Sequence, residues 1–106
     1  MPKYLAHGSY TSEGLKGFIK EGGTARRKAV EALVQSAGGK VEAVYWGFGN
    51  DDVYTIIDVP DNVSAAAVSM AVGAVGAVHL KTVVLLTAEE MDAATKKSIT
   101  YRPPGS

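Results

Sequence analysis

Apolar and polar residues alternate along several stretches of the chain, and between them apolar residues recur at helical spacing. Alternation with a period of two is typical of β-strands, whereas spacings of three and four residues are typical of helices. The pattern predicts strands at about residues 3–10, 40–48, 52–59 and 79–86. It predicts helices at about residues 11–21, 24–37, 63–78 and 87–98. The prolines of the closing YRPPGS segment favour an extended tail at about residues 101–106.

Local signals mark the ends of these helices. Gly22 and Gly23 interrupt the first helical pattern, and Thr24 is placed to cap the second helix. Thr87 and Glu90 have the spacing of a capping box at the start of the last helix. The order β-α-β-β-α-β, followed by a short C-terminal helix, predicts an α+β, ferredoxin-like fold in a single domain over residues 1–106. Helices then cover one face of the sheet, and we expect a second copy of the chain to cover the other.

Composition narrows the classes of function. The 106 residues include 11 basic and 11 acidic side chains, so net charge is zero and binding to nucleic acid is not expected. The absence of cysteine excludes disulfides, thiolate catalysis and cysteine-ligated metals. Residues 62–78 carry no charge, but they are too short and too rich in alanine and glycine to predict a membrane span. Because residues 1–10 lack the apolar core of a signal peptide, a cytoplasmic location is expected.

Much of the chain resembles the GYD-domain proteins, small bacterial proteins without an established reaction. The segments that carry the resemblance are YWGFGNDDVYTIIDVPDNVSAAAVSMAVGAVGAV, KYLAHGSYTSEGLKGFIKEGGTARRKAVEALVQSAGGKVEAVYW and TVVLLTAEEM. The resemblance implies the dimeric α+β barrel, in which the sheets of two ferredoxin-like subunits face each other. The family is named for a glycine followed closely by Tyr-Asp. Gly49 and Asp52 match that motif, whereas Asp51 stands in place of the tyrosine, and Asp52 also fits an ordinary turn residue.

The uncovered face of the sheet is the predicted ligand site. A two-residue turn at Asn50 and Asp51 would pair Trp46 with Thr55 on one face. Alternation along the first strand places His7 on the uncovered face, since the opposite set is more apolar. The candidate ligand-binding residues of this face are His7, Ser9, Trp46, Thr55 and Thr82. Their mixture of an imidazole, hydroxyl groups and an indole in apolar surroundings suits a small molecule.

Chemistry at this face is not specified by the residues alone. A histidine can act as a base near neutral pH, but His7 also fits a hydrogen-bonded interface residue without chemistry. His79 is the other histidine, and two histidines without a patterned carboxylate do not predict a metal site. We therefore assign no catalytic residue, no metal and no cofactor.

A second candidate site lies at the start of the second helix. Arg26, Arg27 and Lys28 occupy its first turn, where positive charge opposes the helix dipole. Two readings stay open. Glu21 and Glu31 are placed to offset the charge through ion pairs, or a bound phosphate or carboxylate offsets it.

The helix at residues 63–78 lacks charge on every side. We expect Val63 and Met70 to face the sheet, and Ala65, Val68 and Gly73 to lie outside against a second protein surface. Two arrangements stay open. A further copy of the chain covers this side, which predicts a homo-oligomer larger than a dimer, or the C-terminal helix or the YRPPGS tail of the same chain covers it.

Three hypotheses of function follow. The first is an oligomeric protein that binds a small molecule without catalysis. The second is a cofactor-free oxygenase or an isomerase of the dimeric α+β barrel type. The third is a regulatory subunit that responds to an anion or nucleotide.

Overall fold

The computed structural model describes residues 1–106 and contains four strands and four helices. In chain order the elements are β1 Lys3–Tyr10, α1 Ser12–Glu21, α2 Gly23–Ser36, β2 Lys40–Trp46, β3 Val53–Asp58, α3 Asn62–Val75, β4 Val78–Leu85 and α4 Ala88–Thr95. The four strands form one antiparallel sheet in the order β2-β3-β1-β4. The predicted α+β class is confirmed, and the arrangement is consistent with a ferredoxin-like fold.

Capping residues explain where the helices begin. The side chain of Thr11 accepts a hydrogen bond from the Gly14 amide at the start of α1. Gly22 separates α1 from α2 with φ at 88°, outside the helical range. Glycine suits this position because the conformation is strained for residues with a side chain. Helix α2 begins at Gly23 without a side-chain cap, so the prediction that Thr24 caps it is wrong. Asp61 caps α3.

The hairpin between β2 and β3 differs from the predicted two-residue turn. Trp46 pairs with Val53 instead of Thr55, and residues 47–52 form a longer loop. The Asp52 amide donates a hydrogen bond to the Gly8 carbonyl at 2.8 Å. Asp52 is therefore bound to β1 and does not pair with Gly49 across a tight turn.

The pairing of β1 with its neighbours determines which side chains share a face. Ala6 pairs with Thr55 on β3 and with Thr82 on β4, and directly paired residues point to the same side. Trp46 belongs to this side because its partner Val53 pairs with Gly8. This side carries the helices.

His7 lies on the opposite side, where it pairs with Tyr54 and Lys81. We call this side the open face, and its members include Leu5, His7, Ser9, Tyr45, Tyr54, Ile56, Lys81 and Val83. The prediction that Trp46, Thr55 and Thr82 share a face with His7 and Ser9 is therefore wrong. Alternation along each strand was assigned properly, but the phase between strands depends on long-range pairing.

The packed core occupies one end of the space between sheet and helices. Tyr4 and Ile57 from the sheet contact Val34 of α2 and Ala65 of α3, and Val59 completes the cluster. Val34 is 1% exposed. The opposite end, toward Tyr10 and Val53, is not filled by side chains.

Four side chains of helix α3 lie on the side opposite to the predicted one. Ala65 and Val68 are buried, whereas Val63 and Met70 are exposed. The prediction is wrong for these four residues because both sides of the helix are apolar or small, so no polar side marks the outside. Gly73 is exposed, as predicted. An assembly larger than a dimer stays a prediction.

Residues 86–106, which we call the C-terminal arm, leave the body after β4. Thr87 and Glu90 form the predicted capping box at the start of α4. Every residue of the arm is exposed. The radius of gyration is 16.8 Å, compared with about 13 Å for a compact chain of this length. The arm therefore extends away from the body.

Candidate functional site

A cavity of about 480 Å³ lies between the sheet and helices α1, α2 and α3. We call it the sheet–helix cavity. Ala6 lies on its sheet side, and Gly14, Gly17 and Ala71 lie on its helix side. These residues have small side chains or none, so the elements enclose a space that they cannot fill. Protein interiors contain few voids larger than a water molecule, and this volume falls in the range of small-molecule sites.

Aromatic side chains form one wall of the cavity. Tyr10 and Phe18 line it, with ring centroids 5.5 Å apart. Trp46 stands behind them, 5.5 Å from the Phe18 ring, and its indole N–H donates to the Tyr10 hydroxyl at 3.1 Å. The hydrogen bond restrains both rings. The wall therefore presents a preorganised aromatic surface to a ligand.

The rest of the lining is mainly aliphatic. Leu33, Val68, Val72 and Leu80 contribute apolar surface from three elements, and Thr55 contributes a hydroxyl group from the sheet. Such a lining favours ligands that lose little hydration on entry.

Charged residues belong to the solvent-exposed part of the lining. Glu13, Glu21 and Arg26 reach the cavity, and Arg26 Nη1 lies 3.8 Å from Glu21 Oε2. Arg27 Nε lies 3.9 Å from Glu31 Oε2 on the helix surface. Both predicted acidic neighbours are thus in place, although these long, exposed pairs stabilise little. Anion binding by Arg26, Arg27 and Lys28 stays a prediction.

A polar cluster occupies the open face on the other side of the sheet. His7 Nδ1 lies 2.6 Å from Asp51 Oδ2, and Lys81 Nζ donates to Asp51 Oδ1 at 3.1 Å. Ser9 Oγ donates to the backbone carbonyl of Asn50. We call His7, Ser9, Asp51 and Lys81 the His7 cluster. The His7 ring also lies parallel to the ring of Tyr54, with centroids 6.2 Å apart.

The carboxylate of Asp51 is the centre of this cluster. Its hydrogen bond with His7, and then its hydrogen bond with Lys81, hold the pKa of the carboxyl below its ordinary value of 3.8. Asp51 is therefore ionised at neutral pH and supplies the acceptor that orients the imidazole. The sequence flagged Asp51 only as a departure from the family motif, because its partner is 44 positions away.

Asp52 has a structural role beside it. Its carboxylate accepts a hydrogen bond from the Tyr10 amide at 3.0 Å, while its own amide donates to Gly8. Gly49 adopts φ 153°, which favours glycine. The two residues that match the family motif therefore shape the loop and attach it to β1.

The predicted ligand residues divide between two sites. Thr55 lines the sheet–helix cavity and Trp46 supports its aromatic wall, whereas His7 and Ser9 belong to the His7 cluster. Thr82 is hydrogen-bonded to Ser69 of α3 at 2.9 Å. Sequence reasoning missed the role of Tyr10, Phe18 and the small residues around the cavity, because no local pattern shows that these positions converge.

Two features of the geometry bear on metal binding and membrane insertion. No three histidine, aspartate or glutamate side chains converge in a way that could bind a metal ion. None of the helices combines the length and the apolar character that crossing a membrane requires.

Comparison with known proteins identifies one family. The profile of the GYD domain matches residues 4–95. No curated protein and no solved structure matched the chain. The matched range extends from β1 to α4, so it includes the sheet–helix cavity and the His7 cluster. The predicted resemblance is confirmed.

Proposed function

The chain belongs to the GYD domain family, and on that premise we propose that it binds a small, mostly apolar molecule in the sheet–helix cavity. The observation that carries the proposal is a space of about 480 Å³ bounded by Tyr10, Phe18 and aliphatic side chains. The site predicted from sequence lay on the opposite side of the sheet, so the proposal moves the ligand to the helix side.

The lining indicates the chemistry of the ligand. The aromatic wall favours a planar or aromatic body, since ring faces pack with offset stacking or edge contacts. The hydroxyl groups of Tyr10 and Thr55 add hydrogen-bonding capacity within the lining. The charged residues stand at the solvent-exposed end, so a polar group of the ligand would lie there.

Binding without acid–base catalysis is the function that this geometry supports best. His7 and Asp51 form the histidine–carboxylate pair, and they lie on the open face, across the sheet from the cavity. A general base must come within hydrogen-bonding reach of the proton it removes. His7 therefore does not serve as a base for a molecule in the sheet–helix cavity.

We also propose that two copies associate through their open faces. Tyr45 is 71% exposed on this face, and Tyr54 and Val83 are also exposed. Apolar patches of this kind on folded domains mark contact surfaces. The dimer would place the His7 cluster at the interface and leave the sheet–helix cavity on the outside.

The cavity can be tested with 1-anilinonaphthalene-8-sulfonate (ANS), whose fluorescence rises in apolar sites. Ala71→Phe places a ring in the cavity, and we expect it to weaken ANS binding by about tenfold, equivalent to about 1.4 kcal/mol. Ala66→Phe is the matched control, because Ala66 lies on the outer side of the same helix and outside the cavity lining. Energy transfer from Trp46 to ANS reports that the probe is near the aromatic wall.

Equal ANS binding by the two variants would contradict the proposal. ANS on the open face would be insensitive to Ala71→Phe, so that result would assign the probe to another surface. Native mass spectrometry of the purified protein then identifies a retained ligand by its mass.

A further inference from the structure

The C-terminal arm is a folded segment without a supporting surface in its own chain. Helix α4 has 8 residues, and isolated helices shorter than about 12–15 residues are marginal in water. Its capping box satisfies the first amides but buries no apolar surface. A helix of this length needs tertiary packing to persist.

The arm also carries large apolar side chains that are largely exposed to solvent. The exposed fractions are 54% for Leu86, 50% for Met91, 79% for Ile99 and 72% for Tyr101. Together these side chains expose on the order of 500 Å². A standard interface buries about 800 Å² on each partner, so the arm supplies a large share of one.

The chain presents a complementary surface of its own. The open face is uncovered and, away from the His7 cluster, mainly apolar, and its most exposed large apolar side chain is Tyr45 on β2. Strand β2 is one edge of the sheet and β4, from which the arm leaves, is the other. A two-fold axis that brings two open faces together lets the arm of each copy reach the other copy. Because the interface is symmetric, each copy both gives and receives an arm.

We propose that residues 86–106 of one copy pack on the open face of a second copy, beside Tyr45 and Tyr54. The two chains thereby exchange arms, and one contact covers both the unsupported helix and the exposed tyrosines of the open face. This inference rests on the proposed dimer, and the experiment separates the two.

The absence of cysteine from the chain permits a site-specific test. Met91→Cys, labelled with a benzophenone maleimide, places a photo-cross-linker on the apolar side of α4. Ala93→Cys, labelled in the same way, is the control. Residues two positions apart in a helix point to nearly opposite sides, so the label at position 93 points away from the Met91 side. We expect irradiation of the position-91 conjugate to give a covalent product of twice the 11.1 kDa chain mass, several-fold more abundantly than the control. Peptide mapping should place the attachment within residues 40–58.

Sedimentation velocity of the unlabelled chain and of two charge variants completes the test. Met91→Glu should weaken the dimer by about tenfold, because it places an unpaired charge against an apolar surface. Ala93→Glu adds the same charge on the other side of α4 and should leave the dimer intact. Circular dichroism verifies that both variants are folded.

Each outcome decides a separate point. A wild-type chain that sediments as an 11.1 kDa monomer would refute the dimer and the exchanged arms together. A wild-type dimer that gives no covalent product and is unaffected by Met91→Glu would refute the arm contact alone. Attachment to α3 of the second copy would refute its placement on the open face.

Discussion

A pair of glycine substitutions in α1 tests the packing that closes one end of the sheet–helix cavity. A Cβ atom added at Gly14 would lie 1.9 Å from the Ala77 carbonyl oxygen, whereas one added at Gly17 would meet nothing within 4 Å. Both positions are in the same helix. Gly14→Ala and Gly17→Ala are therefore the same chemical change at two positions with very different space available.

The expected magnitudes follow from the contacts at Gly14. Nonbonded carbon atoms pack at about 3.5–4.0 Å, so α1 must move away from Ala77 by about 1.5 Å or more. That movement disrupts the bonds from the Thr11 amide to Ala77 O at 2.9 Å and from the Thr11 hydroxyl to Gly76 O at 3.0 Å. Each hydrogen bond contributes about 0.5–1.5 kcal/mol. After an offset of less than about 1 kcal/mol from helix propensity, Gly14→Ala should lower the free energy of unfolding by about 1–2 kcal/mol.

Gly17→Ala should instead stabilise the protein by up to about 1 kcal/mol, because alanine has the higher helix propensity. Urea unfolding, followed by circular dichroism and by Trp46 fluorescence, gives both values from the midpoints. The predicted separation of the two variants corresponds to a difference of several degrees in Tm. Stabilisation of Gly14→Ala to the same extent as Gly17→Ala would refute the close approach of α1 to Ala77.

Three further predictions concern the core, the His7 cluster and the second helix. Val34→Ala should cost about 1.5–3 kcal/mol in urea unfolding, because Val34 is fully buried; a cost below about 0.5 kcal/mol would contradict the packing. Asp51→Asn should lower stability at neutral pH and converge with wild type in acid. The pKa of Asp51 is held below 3.8, so its contribution is present above that pH and is lost as the pH falls through the lowered value; parallel pH profiles would contradict this. If Arg26 binds an anion, phosphate should raise Tm relative to chloride at equal ionic strength and Arg26→Gln should abolish the increase, whereas an increase that persists would exclude that residue.

The elements were predictable because their signals are local. The limits of β1 match the structure at both ends, and the capping box of Thr87 and Glu90 is present. The break at Gly22 depends on one backbone conformation, which glycine adopts at little cost. Where the local signal was ambiguous, as at Thr24, the predicted cap was wrong.

The site was not predictable in the same way, because it depends on the phase between distant strands. Leu5 pairs with Ile56, so odd positions of β1 share a face with even positions of β3. Two helices and strand β2 separate these strands in the sequence, and the helices do not transmit the phase. The cavity was harder still to predict, since it depends on small or absent side chains at positions such as Gly17 and Ala71, whose convergence appears only in the folded chain.

The loop between β2 and β3 connects the two sides of the sheet. The Asp52 carboxylate holds the Tyr10 amide, next to the aromatic wall of the cavity, while the side chain of the adjacent Asp51 holds His7 on the open face. The amide of Asp52 attaches the loop to β1 through Gly8 regardless of the residue at position 51. The Asp51 side chain therefore contributes to the chemistry of the open face, whereas Asp52 attaches the loop to β1. In the proposed dimer, the Asp51 side chain lies at the interface, whereas Asp52 holds Tyr10 beside the aromatic wall of the sheet–helix cavity.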